Sequence, residues 1–392
     1  MKWFGRKAVR ETGRPFLFAG LRGLFAAEPW PRSYEAQVRE AYLGNPVAQR
    51  AVRLVAESVA GAPVYAVEGA DVPAVALVTP ALLETAATQL LLHGNAFVQI
   101  VQDGEGRAAE LFALRPERVT VEADAHGWPA AYVYKVGPST GSGQVRGSRI
   151  AARDGLGRPG LVHVKAAHPL DDHYGLGCLG AAAGAVAVHN AAATWNKALL
   201  DNAARPSGAL VYEAGDGAAL SADQFERLRA EMETQFSGAG NAGRPLLLEG
   251  GLRWQAMSLT PADMDFVGLK AAAAREIALA FGVPPMLLGL PGDSTYANYR
   301  EANRALWRLT VLPMAEKMLR SIGDALAAWW PGLRLSVDVD RISALAEDRE
   351  RLWRQVSAAD FLSDAEKREM LGFAPGEKTE FVIPAKAGIS GQ

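Results

Sequence analysis

The most unusual part of the sequence is Phe281-Gly-Val-Pro-Pro-Met-Leu-Leu-Gly-Leu-Pro-Gly-Asp-Ser-Thr-Tyr-Ala-Asn298. Its three prolines and three glycines are incompatible with a continuous helix or strand, because proline lacks a backbone donor and glycine favours no regular structure. Helical patterns flank it at residues 261–281 and 299–330. Pro313 predicts a kink near the middle of the second helix. Two long helices therefore enclose one constrained loop.

Upstream of this stretch, the pattern predicts another long helix and a small insertion. Residues 180–203 are dominated by alanine, whose small side chain lets helices pack closely on more than one side. Between this helix and residues 261–281 we predict a strand at 207–212, a helix at 222–236 capped by Ser221, and strands at 245–249 and 252–258. The two long helices are therefore separated by a compact α/β insertion.

The sequence pattern of residues 45–174 predicts a mixed region of helices and strands. Apolar spacing indicates helices at 45–60 and 81–93, and strands at 96–101, 111–114, 118–122, 131–136 and 161–165. Residues 137–160 are rich in Gly, Ser and Arg and predict an exposed loop. The C-terminal part predicts a strand at 333–339 and helices at 343–358 and 364–371, the last with a Ser363/Glu366 capping box. The fold class is α+β.

Composition narrows the range of functions. The 392 residues include 41 Lys+Arg and 43 Asp+Glu, and the net charge of -2 provides no overall positive field for nucleic acid. Any contact with DNA has to be local or sterically enforced. The single cysteine, Cys178, excludes an internal disulfide and a cysteine-based zinc cluster.

The N-terminal residues carry an excess of basic side chains. The apolar run 16–27 is interrupted by Arg22, which argues against a secretion signal. We expect a basic arm over residues 1–44. A membrane-surface scaffold is the alternative, since Trp3 and Phe4 would suit a helix lying on a bilayer.

Two motifs are compatible with a bound ligand. Gly-Leu-Gly-Cys-Leu-Gly at 175–180 matches the dinucleotide fingerprint of an NAD-dependent oxidoreductase. That fingerprint follows a strand immediately, whereas the predicted strand ends near Lys165, so glycines that permit a tight helix start are the favoured interpretation. Metal-ligand residue types also cluster, although an ordinary polar loop has the same composition: His163, His168, Asp171, Asp172 and His173. We expect no cofactor, no metal and no catalytic residue.

Several segments together resemble one known family. Phe281-Gly-Val-Pro-Pro-Met-Leu-Leu-Gly289, Ser294-Thr-Tyr-Ala-Asn298 and Thr310-Val-Leu-Pro313 resemble the signature of tailed-phage portal proteins, the head-tail connectors of siphophage-like particles. Asn45-Pro-Val47, His93-Gly-Asn-Ala-Phe-Val98 and Tyr174-Gly-Leu-Gly177 resemble further parts of the family. The small C-terminal region suggests a gene transfer agent or a prophage.

The resemblance implies a portal fold in a closed ring of about twelve subunits. Its parts are a mixed α/β wing, a long α-helical stem, a small α/β clip and a short helical crown. On this sequence they correspond to a basic arm at 1–44, wing at 45–174, stem helix at 175–206, clip at 207–260, second stem helix at 261–283, elbow and tunnel loop at 284–298, long wing helix and strand at 299–342, and crown with C-terminal tail at 343–392.

The resemblance also implies a structural, non-enzymatic function. The ring would assemble in the bacterial cytoplasm, nucleate the head with the major capsid protein, and occupy one capsid vertex of the particle. It would dock the large terminase and then the head-tail adaptor, and pass double-stranded DNA. Arg300 and Arg304 would make limited contacts with the DNA backbone. The tunnel loop, which contains no cation, would be Pro291, Gly292, Asp293, Ser294, Thr295, Tyr296, Ala297 and Asn298.

Overall fold

The computed structural model describes residues 33–67, 73–135, 147–201, 208–212, 221–236, 252–256, 266–290 and 295–372. The helices in these ranges are α1 (Tyr34–Val38), α2 (Pro46–Ala60), α3 (Pro73–Leu77), α4 (Pro80–His93), α5 (Leu179–Asp201), α6 (Ala222–Phe236), α7 (Phe266–Ala280), α8 (Tyr296–Leu306), α9 (Leu312–Leu326), α10 (Ala346–Ser357) and α11 (Asp364–Met370). The strands are β1 (Val64–Ala66), β2 (Asn95–Gln102), β3 (Ala108–Leu114), β4 (Val119–Ala123), β5 (Pro129–Lys135), β6 (Gly147–Ala151), β7 (Leu161–Lys165), β8 (Gly208–Tyr212), β9 (Leu252–Ala256) and β10 (Leu335–Val337).

Capping residues set the ends of the first long helices. The Asn45 side chain accepts hydrogen bonds from the N–H groups of Val47 and Ala48, and Pro46 occupies the first turn of α2. Thr79 caps α4, which ends at Gly94 in the left-handed conformation (φ +82°). The helices predicted at 45–60 and 81–93 are confirmed to within a residue.

Strand β2 lies between two hydrophobic cores. It is the central strand of an antiparallel sheet ordered β3-β2-β7, and a second antiparallel sheet is ordered β4-β5-β6. Val98 and Ile100 belong to the main core, with residues of α2, α4 and α9 such as Val55, Leu83 and Met318. Because side chains alternate along a strand, Phe97 belongs to the smaller core between the sheets, with Leu114, Val119, Tyr132 and Leu161. Both faces of β2 are therefore covered.

Two expectations for this region were wrong in part. The predicted exposed loop at 137–160 contains β6, which pairs with β5 in the register Tyr132↔Ile150, while residues 136–146 lie outside the described ranges. The predicted arm at 1–44 includes α1 and a π-helical turn at Arg39–Leu43, in which Ala41 is buried. Residues 1–32 lie outside the described ranges.

Helices α5 and α7 pack against each other through small side chains. The α5 side chains that are buried within the chain follow helical spacing: Leu179, Ala182, Ala185, Val186, His189 and Ala192. In α7, Ala274, Ile277 and Ala278 are buried. Between the two helices, β8 and β9 form an antiparallel pair, and Ser221 caps α6. The strand predicted at 245–249 and the helix start predicted at 261–265 lie outside the described ranges.

The long helix predicted at 299–330 has different ends. It begins at Tyr296, because the Thr295 side chain caps it by accepting the N–H of Asn298 at 3.2 Å. It ends at Leu326, before Trp329 and Trp330. A π-helical turn at Trp307–Val311 separates α8 from α9. Pro313 lies two residues beyond the end of this turn, so the helix is irregular close to the proline at which a kink is predicted.

The C-terminal elements pack back onto the start of the chain. Strand β10 pairs with β1 in the register Tyr65↔Ser336. It is shorter than the strand predicted at 333–339, since a 3₁₀ turn begins at Val339. The Ser363/Glu366 capping box at the start of α11 is confirmed.

Glycines allow the chain to cross itself between β7 and α5. A Cβ on Gly175 would lie 2.1 Å from the Gly94 carbonyl oxygen, and one on Gly177 would lie 2.4 Å from the Leu92 carbonyl oxygen. These glycines follow an antiparallel strand, and the described strands include no parallel pair. The strand-turn-helix context of a dinucleotide site is therefore missing, and backbone packing accounts for both glycines.

Gly175→Ala and Gly177→Ala are expected to lower the melting temperature strongly or to prevent folding, because each added methyl group meets backbone that cannot move aside. Gly180→Ala is the matched control from the same motif. A Cβ there meets nothing within 4 Å and α5 already contains this residue, so alanine should raise helix stability by about 1 kcal/mol. Thermal unfolding of the three purified variants checks this. Equal melting temperatures would contradict the backbone-packing explanation.

Candidate functional site

A rigid elbow follows α7. Gly282 has φ +66° and its N–H donates to the Leu279 carbonyl, which terminates the helix, while the N–H of Val283 donates to the Ala278 carbonyl. Phe281 and Val283 are buried in the main core. The prediction that the segment has no regular structure was wrong in one detail, since Pro285–Leu288 forms a 3₁₀ turn. Gly289, at φ +72°, ends that turn.

Thr310 fixes the elbow against the π-helical turn. Its Oγ1 donates to the Gly282 carbonyl oxygen at 2.7 Å. A Cβ on Gly282 would lie 2.8 Å from this same Oγ1. The position at which the elbow leaves α7 is therefore fixed by a side chain of the π-helical turn that precedes Pro313.

The structure describes only part of the predicted tunnel loop. Pro291, Gly292, Asp293 and Ser294 lie outside the described ranges. Thr295 is the helix cap, and Tyr296, Ala297 and Asn298 form the first turn of α8. The Tyr296 side chain is 78% exposed and Tyr299 is 51% exposed. The described part of this segment therefore presents two aromatic side chains at a helix start.

Arg300 and Arg304, predicted to contact DNA backbone, already bind carboxylates. Arg300 Nη1 lies 2.6 Å from Glu347 Oε1, and its guanidinium lies 5.6 Å from the Tyr296 ring centroid. Arg304 bonds Glu301 and Glu347, each at 2.8 Å. Glu347 lies on α10, so the first turns of α8 are connected to the C-terminal helices. Sequence reasoning missed this connection.

A buried asparagine holds the start of the α5 segment. The Asn95 side chain is fully buried, and its Oδ1 accepts the Gly175 N–H at 2.7 Å. Its Nδ2 donates to the Gly175 carbonyl at 3.1 Å. Since Oδ1 is an acceptor, the nearby His163 Nε2, at 3.0 Å, carries the proton. Asn95 therefore joins β2, β7 and the start of the α5 segment.

The candidate metal-ligand residues at 163–173 have other contacts. His163 stacks on Phe97 with ring centroids 4.2 Å apart. Asp171 Oδ1 instead accepts the backbone N–H groups of His173 and Tyr174. Within the described ranges, no group of three or more His, Cys, Asp or Glu side chains is arranged to hold a metal.

A second buried polar group connects α5 to α2. The Asn45 Nδ2 lies 3.1 Å from His189 Nδ1 and donates to Asn190 Oδ1 at 2.8 Å. Asn190 in turn donates to the Glu40 carbonyl at 3.1 Å. Because Asn45 Nδ2 is a donor, His189 Nδ1 accepts, and burial lowers the pKa of His189. The same asparagine thus caps α2 and anchors α5.

Three similar turns lie between consecutive strands; the sequence predicts the first, at 103–106, and the other two were missed. Asp103, Asp124 and Asp154 each begin an Asp-x-x-Gly sequence whose glycine has positive φ, and each carboxylate accepts two backbone N–H groups of its own turn. Arg158, at the end of the third turn, donates to the Gly106 carbonyl at 2.7 Å and lies over the Trp329 ring. The repeat Asp-Gly-x-Gly-Arg at 103–107 and 154–158 was the available signal.

Two remaining features of the described residues are the Cys178 thiol and the apolar character of the helices. Burial raises the pKa of the Cys178 thiol, which is opposite to the shift that activates a nucleophilic cysteine. Of the helices described, none has both the length and the apolar character required to cross a bilayer.

Comparison with known proteins assigns the geometry to a family. The family model described as "Phage portal protein" matches residues 46–372. An uncharacterized protein of Rickettsia felis is 40% identical over 356 residues, which is 86% of this chain and 88% of its own.

Solved structures agree with this assignment. A chain in the "Neck of native GTA particle computed with C12 symmetry", a gene transfer agent, is 46% identical and superposes with a TM-score of 0.65, covering 88% of this chain and 94% of that one. An HK97 family phage portal protein from Corynebacterium diphtheriae is 18% identical with a TM-score of 0.53, covering 79% of this chain and 95% of that one, and it shares the fold.

Buried His163 predicts a pH dependence of stability. Burial, with smaller contributions from Lys165, His173 and His93, lowers its pKa to about 3, well below the ordinary value of 6.5. The unfolded chain therefore binds a proton that the folded chain does not. The free energy of unfolding is unaffected by this difference above pH 6.5, and it decreases as the pH falls from 6.5 towards 3. In His163→Gln, the unfolding midpoint should fall less steeply over this range than in the wild-type protein. Exposed His126→Gln is the control, and an unchanged slope in His163→Gln would refute the assignment.

Proposed function

Since the chain belongs to the phage portal protein family, we propose that it forms a closed ring through which double-stranded DNA enters and leaves a phage or gene transfer agent particle. The observation that carries the proposal is the 46% identity, over 88% of this chain, to a chain in a gene transfer agent neck computed with C12 symmetry. A ring of about twelve identical subunits is a closed cyclic assembly in which every subunit meets two neighbours through the same pair of surfaces.

Exposed apolar side chains on the α5/α7 pair support a ring contact. Leu279 is 78% exposed and Val267 is 83% exposed, both on α7, and Val188 on α5 is partly exposed. Large apolar side chains left exposed on two packed helices suit surfaces that another protein covers. We assign α5 and α7 to the stem, where the neighbouring subunit would cover them.

The remaining parts follow the same assignment. The wing comprises residues 45–174 and 299–342, the clip 207–260, and the crown and tail 343–392. In this proposal the clip docks the large terminase during packaging and the head-tail adaptor afterwards. The wing and crown lie at the capsid vertex, beside the major capsid protein. The role of the protein is structural: it holds and guides DNA rather than reacting with it.

A channel through which DNA slides can carry only a few lysine and arginine side chains on its wall. Each lysine or arginine that pairs with a phosphate releases counterions and adds to a non-specific affinity that resists movement. The predicted tunnel loop, 291–298, contains hydroxyl groups, one carboxylate and no cation. We propose that this segment lines the channel, with the exposed Tyr296 at the beginning of α8.

Leu279→Glu is expected to prevent ring formation while leaving the fold intact, because the side chain makes little contact within its own chain and a buried unpaired carboxylate is costly at a subunit interface. Leu170→Glu is the matched control, at a side chain that is 91% exposed in the loop after β7. Mass photometry should find rings for the control and small species for Leu279→Glu, with equal circular dichroism. Rings from both variants would rule out this part of α7 as the contact.

Adding cations to the tunnel loop is expected to stall packaging. Ser294→Arg combined with Ala297→Arg places two guanidinium groups per subunit in the tunnel loop, past which the DNA would slide. The control combines Ala125→Arg with Leu156→Arg, both on exposed turns. Rings should form in each case, but DNA content per particle should fall only for the loop variant. Particles with normal DNA content from that variant would remove the tunnel assignment.

A further inference from the structure

Three arginines form a row along one side of α8 and the π-helical turn that follows it. Arg300, Arg304 and Arg308 recur at every fourth residue of α8 and the π-helical turn that follows, so they lie on one face. Helix α10 places Glu347 and Asp348 opposite this row. Glu301, on α8 itself, is the third carboxylate. We name these six residues the arginine row and its carboxylates.

Every arginine of the row has a carboxylate partner. Glu347 bridges two of them: its Oε1 lies 2.6 Å from Arg300 Nη1 and its Oε2 lies 2.8 Å from Arg304 Nη2. Asp348 Oδ2 lies 3.4 Å from Arg304 Nε and 3.9 Å from Arg308 Nη1. Three positive and three negative side chains therefore occupy one patch, and its net charge is zero.

Fold stability does not account for this arrangement on its own. The Arg304 side chain is only 11% exposed, but Arg300 is 48% exposed and Glu347 is 51% exposed. Ion pairs between side chains this exposed contribute little to stability, because water and salt screen them. Their effect on the electrostatic field is larger: a row of unpaired arginines would attract a polyanion, and a neutral patch does not.

We propose that Glu347 and Asp348 mask the arginine row from DNA phosphates, so that α8 can lie beside moving DNA without holding it. This inference rests on the proposed function, which places the segment 291–298, and with it the beginning of α8, at the channel. The guanidinium fork suits carboxylate and phosphate equally well, so a phosphate competes with Glu347 for the same donors. The crown helix α10 is then part of the DNA-facing surface, through its charge rather than by direct contact.

Glu347→Gln tests the masking in assembled rings. It keeps the side-chain shape and releases Arg300 and Arg304 from one negative charge. Binding of a short DNA duplex, measured by fluorescence anisotropy over a range of salt concentrations, should tighten at least about three-fold at low salt, and the plot of log K against log salt should steepen by about one. Adding Arg300→Gln and Arg304→Gln to the same chain should return both values to those of the wild-type protein.

Glu350→Gln is the matched control, since Glu350 lies on the same helix and pairs at 2.6 Å with Arg354 of that helix rather than with an arginine of the row. Glu347→Asp, which keeps the charge, is expected to bind DNA as the wild-type protein does. If Glu347→Gln rings bind no tighter than wild-type rings, or if Glu350→Gln tightens binding equally, masking is overturned. Mass photometry is performed first on each sample. A wild-type chain that forms no ring would instead overturn the proposed function, and this inference with it.

Discussion

The close contact between Gly94 and Gly175 fixes the path of the chain from the β3-β2-β7 sheet into α5. Two backbone segments approach each other more closely than any side chain permits, and the buried Asn95 amide spans them with hydrogen bonds to both polar groups of Gly175. A buried amide that lost these partners would cost about 1–3 kcal/mol for each unsatisfied group. Because Cys178 N–H also bonds the Leu91 carbonyl, the chain leaves this crossing in one direction, and α5 begins there.

Two further connections fix the helices that follow. Asn45 bonds His189 and Asn190 part of the way along α5, and Thr310 bonds Gly282 at the end of α7. The α5/α7 pair is therefore held at its start by the end of α4 and β2, along its length by Asn45 before α2, and at its end by the π-helical turn before α9. Each connection is a hydrogen bond made by a polar side chain, and hydrogen bonds form only over a narrow range of distances and angles.

The sequence predicted those elements whose signals are local. Helix caps at Asn45, Thr79 and Ser363 are single residues with a direct effect on the neighbouring turn, and the helices they begin were predicted correctly. The start of α8 was misplaced because Thr295 lies at the end of a proline- and glycine-rich segment, although threonine is among the favoured helix caps. Strand β6 was missed because a Gly-, Ser- and Arg-rich segment has low strand propensity, and pairing with β5 overrides it.

The charged groups of the candidate site illustrate what a sequence pattern does not contain. Arg304 and Glu347 are separated by 43 residues, and their contact depends on how α10 folds back after β10. From sequence alone, arginines beside a near-neutral loop suggested contacts with DNA; in the folded chain the same arginines already have partners. The chain is close to neutral overall, and it is also neutral at this patch. A chain that is nearly neutral, with a neutral patch at these arginines, would suit DNA that is enclosed and yet slides. Strong attraction between charges would oppose such sliding.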